Sequence, residues 1–417
     1  MAQTPTILSD LNDLAKDYYT EVYQPQENTA TALKAQFSRL ETFQFTGRAA
    51  IFGVKLRNGG GAANAGANAT LPAAKFGAYD QGQARVVRTY TRMAVDMFAA
   101  TVSKQQKGSY RPFVAELLED RLTEHDKEVN RQMFSAGDGK LALTPTGAAA
   151  TTQTLGSDYG VTNGGAGARH VTEGDVLAFY DPAASGTLID RRTITAVDHS
   201  AQTVTYTGSL TSVTAGWVAK ATPDTDNFVT GEALGLLAAA AQSGTFEAIT
   251  LGGQWLQTVL SNSGTLRDIS DSLIMQAIGT AKARSGEFPN LAVCRPGVVL
   301  KYSEVFLPIR RINGQDIQLK GGYKPIGVIQ SAGGDIPILE DIDCPNSRVH
   351  FVNTKYIKLI DLLGTEWADD DGAQFARIED KDGIEGYLRK YWGLAWTRLN
   401  CHVTLSDVSD ITPLDRW

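Results

Sequence analysis

Hydrophobic positions recur at two different spacings along this chain. In TGRAAIFGVKL, residues 46–56, Phe52, Val54 and Leu56 alternate with Gly53 and Lys55. In QARVVRTYTRMAVDMF, Val87, Thr89, Thr91, Met93 and Val95 fall on one side, and Arg88 and Arg92 on the other. Alternation with β-branched residues predicts strands, and two such runs in succession predict a long hairpin. Between them stands RNGGGAANAGANATLPAAKFG, Arg57 to Gly77, almost all Gly, Ala and Asn. A turn needs far fewer residues, and structureless loops beyond about 12–15 are uncommon unless functional or disordered. An isolated two-stranded hairpin is marginal in water. This one therefore needs a companion, and its neighbourhood in sequence supplies none.

Elsewhere the spacing is helical. Ile7, Leu11, Leu14, Tyr18 and Val22 predict one amphipathic helix near the start, followed by an extended arm. The clearest helix is RPFVAELLEDRLTEHDKEVNRQMF, residues 111–134, with Pro112 suited to its first turn. Phe113, Leu117, Leu118, Leu122, His125, Val129 and Met133 form its stripe, Glu124–Lys127 and Glu128–Arg131 stand at i,i+3, and Gly137 stops it. LRDISDSLIMQAIGTAKARSG puts Leu266, Ile269, Leu273, Ile274, Ala277, Ile278 and Ala281 on one face, with Gly286 at the expected C-terminal cap. A short buried strand and a helix opened by Pro296 follow in FPNLAVCRPGVVLKYSEVF. Strand-like runs come next in YKPIGVIQ, DIPILED, SRVHFVN and YIKLIDL. The last long strand has Trp392, Leu394 and Trp396 on one face.

Two stretches break both periods. Residues 140–168, rich in Thr, Ala and Gly, read as loop. In residues 170–222 short runs (DVLAFY, RRTITAV, TVTYTG, GWVAKA) are separated by turn clusters, which predicts a small all-β barrel or sandwich inserted into the fold.

Composition changes this picture little. The chain has 417 residues, 42% hydrophobic and 20% charged, with 41 Gly, so length suggests two or three domains. Net charge is −7 and the pI about 5.4, which is not the basic footprint of a nucleic-acid reader. Cys294, Cys344 and Cys401 are widely spaced and support neither a disulfide framework nor a zinc site. The start of the chain has no basic region followed by an apolar run, so no signal peptide is expected, and no apolar run approaches the roughly 18 residues of a membrane span.

Candidate chemistry is sparse. None of the five histidines (His125, His170, His199, His350, His402) lies in a metal or catalytic pattern, and His125 reads as part of the spine stripe. NGGAGAR, residues 163–169, lacks the GK[ST] ending of a phosphate loop and reads as a flexible linker. The carboxylate run EWADDDGAQFARIEDKDGIEG, residues 366–386, misses the spacing of a calcium loop and reads as a solvated acidic loop. No nucleophile elbow is present. The expectation is no catalytic residue, no cofactor and no metal.

The order of elements carries a resemblance. An N-terminal arm leads to a long hairpin with a Gly/Ala tip, then to a spine helix ending in SAGDGK. Next come SLIMQAIGTAKARSGEFPNLAVCRPGVVLKYSEVF and GVIQSAGGDIPILEDIDCPNSRVHFVNTKYIKLI. The series closes with EWADDDGAQFARIEDKDGIEGYLRKYWGLAWTRLNCHVTLSDV. This series resembles the major capsid protein of tailed bacteriophages, the Hong Kong 97-type fold, most specifically in ILEDIDCPNSRVHFVN and the pattern from Trp367 to Tyr391.

The resemblance implies an α+β fold with an N-terminal arm (1–45), an E-loop (46–96), a peripheral domain (97–169 and 361–417) with the spine helix, and an axial domain (230–360). The module at 170–222 departs from the minimal pattern. The implied function is a structural subunit that assembles with itself into pentamers and hexamers, forming an icosahedral head around double-stranded DNA in the host bacterial cytoplasm. Implied partners are scaffolding and portal proteins, with room for decoration proteins. DNA would be met only by non-specific contact, and no membrane is involved. The hairpin would lie across a neighbouring copy. Arg57, Lys75, Arg88 and Arg92 would meet acidic patches there, with Asp369, Asp370 and Asp371 as one candidate patch. A tail-tube or decoration protein suits the β-rich module but not the long helix. A hydrolase would need a concave pocket of ionisable groups with strongly shifted pKa values.

Overall fold

A computed structural model describes residues 31–39, 45–46, 49–64, 66–67, 70–105, 113–145, 151–181, 187–210, 216–220, 231–306, 328–331, 334–369, 374–379 and 381–410. The helix expected near the start lies outside them. The chain divides into two units, one of Met1–Thr31, Val87–Arg131 and Asp361–Trp392, the other of Ala32–Val86, Gln132–Ile360 and Gly393–Trp417.

In the first unit the strand Val87–Asp96 runs antiparallel to Gly383–Trp396, with Val87 opposite Trp392 and Asp96 opposite Gly383. The alternation expected from sequence holds: Val87, Thr89, Met93 and Val95 are buried, while Arg88 and Arg92 are exposed. Met93 and Val95 pack with Leu117 and Leu118 of the spine helix Phe113–Phe134 and with Trp367 and Ile384. The Trp392 Nε1–H donates to Thr89 Oγ1 at 2.9 Å, which satisfies an indole N–H that is wholly buried. On the helix the expected stripe loses Leu122, which is 45% exposed, and Glu124 pairs with Arg121 at 2.6 Å. Glu128 and Arg131 form the expected pair, also at 2.6 Å.

That arrangement corrects the predicted hairpin. The strand Ala49–Arg57 does not pair with the run 86–96; its partner is Ala78–Arg85, with Ala49 opposite Arg85 and Phe52 opposite Gly82. The sequence misled because AYDQGQAR has no apolar alternation of its own. Its small residues serve the partner strand instead: the Phe52 ring fills the space beside Gly82, 2.4 Å from where a Cβ would stand. The strand 87–96, apolar on one face, packs that face against the spine helix.

In the second unit the β-rich module is larger than residues 170–222. A six-stranded sheet runs Ala142–Thr144, Gly216–Lys220, Val176–Asp181, Thr187–Asp198, Thr203–Tyr206, Thr152–Thr154. The ends meet, because Leu143 N–H donates to Ser157 O at 2.9 Å and Gly156 N–H to Leu143 O at 2.7 Å. The result is a closed barrel around Leu141, Leu155, Leu177, Phe179, Val204 and Val218, and closure removes unpaired strand edges. Residues 140–168, expected as loop, thus supply two strands and the seam.

NGGAGAR is not a linker. A Cβ at Gly167 would stand 2.1 Å from Gly156 O, and at Gly164 2.7 Å from Asp158 Oδ1. Asn163 and Ala166 hold left-handed backbone (φ 61° and 55°). Below this segment the wholly buried Asp158 meets Arg169 at 3.0 Å. Tyr159 Oη–H donates to Asp343 O at 2.9 Å, which fastens the barrel to the second sheet of the unit.

That mixed sheet has the order Thr258–Leu260, Val403–Ser406, Arg348–Val352, Leu291–Cys294, Gly334–Glu340, Val328–Ser331. The helix Asp271–Ser285 covers it with Ile274, Ala277, Ile278 and Ala281; Leu266 lies before the helix and is exposed. Ser270 caps the start, its Oγ accepting from Leu273 N–H, and Gly286 (φ 76°) ends it as expected. Helix Pro296–Phe306 opens on its proline.

Candidate assembly surface

The hairpin Ala49–Arg85 has a held base and a bare outer half. At the base, Ala50 and Ala84 are buried against Ile360 and Ala395. Gly393 lets a neighbouring strand approach so closely that a Cβ there would sit 2.2 Å from Arg85 O. The Gln83 N–H donates to Glu247 O at 2.8 Å, tying the second hairpin strand to the small turn between Thr245–Phe246 and Ile249–Thr250.

Beyond the base the two chains continue as a narrow ribbon. Lys75 N–H donates to Gly60 O at 3.2 Å. A Cβ on Gly59 would stand 2.4 Å from Lys75 O, and one on Gly61 (φ 119°) 2.5 Å from Ala73 O. Glycine is there because two backbones pass too closely for any side chain. Between Gly59 and Lys75 the two chains form a built ribbon, and Gly59 and Gly61 report that approach.

The outer half also carries three large apolar side chains in solvent: Leu71 is 81% exposed, Phe76 89% and Tyr79 72%. Scattered exposed apolar residues are ordinary, but three this bare in one short stretch of ribbon are not. Arg57 and Lys75 lie on the same stretch, both exposed, and Lys55 Nζ stands 5.8 Å over the Tyr79 ring. Sequence reasoning chose the cations and passed over Leu71, Phe76 and Tyr79. The available signal was the presence of bulky apolar residues inside a run otherwise made of Gly, Ala and Asn.

Arg88 and Arg92 belong to the first unit. Register places Arg88, Tyr90 and Arg92 opposite Tyr391, Arg389 and Tyr387, an alternating Arg–Tyr face on the side of the sheet turned from Met93 and Val95. Arg92 pairs with Glu385, Arg389 with Glu366 at 2.9 Å, and the Arg88 guanidinium lies 5.9 Å from the Tyr391 ring centre. Asp369 is exposed; Asp370 and Asp371 lie outside the described residues.

Little elsewhere suggests chemistry. Burial raises the thiols of Cys344 and of Cys401, the latter to about 12, so neither is a ready nucleophile. His350 and His402 are wholly buried, and burial lowers both to about 3. Among the described residues no cluster of His, Cys, Asp and Glu could hold a metal ion, and no helix is long and apolar enough to cross a membrane.

No family model and no curated protein matches the sequence. Solved structures resemble its fold. A chain of the capsid asymmetric unit of cyanophage A-1(L) superposes with a TM-score of 0.56 at 11% identity, covering 95% of this chain and 98% of that one. The capsid of a native GTA particle gives 0.49 at 10% identity, over 98% and 100%. The holo-SrpI encapsulin complex of Synechococcus elongatus PCC 7942 gives 0.48 at 10% identity, over 98% and 97%. The likeness to the cyanophage chain spans nearly all of both molecules. Together with the spine helix and the projecting hairpin, it gives this chain the Hong Kong 97-type capsid fold.

Proposed function

We propose that this chain is the shell subunit of a phage head, assembling as pentamers and hexamers into an icosahedral container for double-stranded DNA. The observation that carries the reading is the bare outer hairpin, with Leu71, Phe76 and Tyr79 in solvent on a ribbon whose base is packed against Ile360 and Ala395. Covering a Leu or Phe side chain fully is worth about 1.5–3 kcal/mol. A neighbouring copy that covers all three gains enough to favour association, and a closed shell repeats that contact at every subunit. Arg57 and Lys75 travel with the ribbon and would find carboxylates on the neighbour, with the loop from Asp369 to Asp371 as the proposed patch. Arg92 already has Glu385 in its own chain, so its part is to share that carboxylate.

The role asks for no catalytic group. A net charge of −7 suits a container whose lining must not hold its DNA through many phosphate contacts. Scaffolding and portal proteins are the expected assembly partners, with decoration proteins on the finished head.

Negative-stain microscopy and sedimentation of the purified protein test this. Rings or shells are expected, and a Leu71→Ser/Phe76→Ser variant should lose them while staying folded. Monomers alone at every concentration, with and without co-expressed assembly partners, would overturn the proposal.

A further inference from the structure

The turn that holds the hairpin base is chemically odd. Its two central residues, Glu247 and Ala248, both have positive φ (51° and 67°). A two-residue hairpin loop of that kind ordinarily carries Asn-Gly, because a Cβ in the left-handed region costs about 1–2 kcal/mol. Glu-Ala is a poor choice for the turn, so the reason to look for is the side chain.

Glu247 is 3% exposed. Its two carboxyl oxygens lie 3.1 and 3.3 Å from the backbone N of Trp396, the end of the long strand Gly383–Trp396. Its own carbonyl accepts from Gln83 on the hairpin. One residue thus grips two strands, by its side chain and by its backbone. Phe246 sets its ring edge-on to Trp396 at 6.1 Å, which dries the site. Among the described residues, the titratable groups on the surrounding elements are Arg85 on the hairpin, Glu232 ahead of the helix Leu236–Ala239, and the neutral His402 behind the Trp396 ring. None gives the Glu247 carboxyl a Coulombic partner. A single N–H is thin support for a buried carboxylate, but it suits a neutral acid.

We propose that Glu247 is a proton-dependent latch: as a neutral acid it seats the turn and pins the hairpin base, and as a carboxylate it is expelled and lets the base go. Burial, opposed only by the Trp396 N–H, holds the carboxyl well above its usual range. The proton leaves to solvent as pH rises, and a lone charge cannot stay in that site. The turn then relaxes from its left-handed backbone, taking the Gln83 bond with it. The latch is closed at low pH and opens as pH rises through the raised value. This inference concerns one chain and does not depend on the shell reading.

Hydrogen exchange tests it on unassembled protein between about pH 5 and pH 9, corrected for intrinsic rates. Protection of the Gln83 amide should fall by roughly tenfold or more across that range, while that of Val204 in the barrel stays level. In Glu247→Gln, which keeps the acceptor and cannot ionise, Gln83 protection should be flat. Should that variant fail to fold, Ala248→Gly, which relieves strain and keeps the acid, should retain the fall and move it to higher pH. The proposal is overturned if Gln83 and Val204 lose protection together, if wild-type Gln83 protection is flat, or if Glu247→Gln shows the same fall as wild type.

Discussion

The outer hairpin and the barrel both bring backbones close together at glycines, and they meet opposite fates. Both use glycine for the same purpose. Gly59 lies against Lys75 O and Gly167 against Gly156 O, each where a Cβ would clash with a carbonyl oxygen. What separates them is where the large apolar side chains go. In the barrel, Leu141, Leu155, Phe179 and Val204 all point to one closed interior. On the ribbon, Leu71, Phe76 and Tyr79 point to solvent. Glycine content therefore says that backbones are close. Whether a region is finished by its own chain is decided by the destination of its bulky side chains.

The sharpest test of that difference is truncation. Phe179→Ala empties the barrel interior and should destabilise the protein by about 3–5 kcal/mol in chemical denaturation. Phe76→Ala removes a ring of the same size and should move stability by no more than about 0.5 kcal/mol. Its effect belongs in assembly yield. A large stability loss from Phe76→Ala would show that the ribbon is already covered by its own chain.

Acid gives the next test, within the second unit, with signs that can be worked out. His350 lies on the mixed sheet and His402 just before its strand Val403–Ser406. His350 Nδ1 is 2.9 Å from Thr404 Oγ1, and His402 Nδ1 accepts the Asn353 N–H at 3.1 Å. Both titrate near 3 when folded and near 6.5 when unfolded, so the unfolded chain binds the extra protons. Their contribution to stability is whole above pH 6.5 and is lost progressively from there down to about 3. Glu247 at the hairpin base runs the other way: its raised value makes the folded chain the proton holder, so its contribution is full in acid and is lost as pH rises. Denaturation midpoints should fall below pH 6.5 in wild type and fall less in a His350→Gln/His402→Gln variant that folds. Equal acid slopes in the two proteins would sink the assignment.

How much of this could be read in the sequence follows from which interactions are local. Gly286 marks the end of one helix and Pro296 the start of another, because caps act within a turn; the start at Ser270 went unread. The alternation from Val87 to Val95 gave the buried face correctly, but alternation does not name a partner, and the strand pairs with 383–392 instead of with 49–57. The seam at Leu143, Gly156 and Ser157 was invisible because backbone hydrogen bonds close it and small residues line it. On the assembly surface, Arg57 and Lys75 stood out as charges, while Leu71 and Phe76 were overlooked because apolar residues are read as core by default. Glu247 carried no signal, since nothing local marks a carboxyl that will be buried beside a strand end far away in sequence.

The smallest expected effect asks whether glycine has the same importance in both regions. Gly167→Ala would drive a Cβ into Gly156 O at the barrel seam, where Ala142 Cβ is also only 3.0 Å away. Neither neighbour can retreat, since both belong to the closed wall, so overpacking of about 1–3 kcal/mol is expected. Gly59→Ala makes a similar clash with Lys75 O, so the two chains must part, but the ribbon is exposed and no packed wall resists the parting. Its stability loss should stay below about 1 kcal/mol, read as a small shift in denaturation midpoint beside a large one for Gly167→Ala. A widened ribbon still changes the spacing that Leu71 and Phe76 present outward. Gly59→Ala should therefore lower assembly more than it lowers stability. The reverse order, a costly Gly59→Ala beside a silent Gly167→Ala, would mean that the ribbon is the rigid element and the barrel the yielding one.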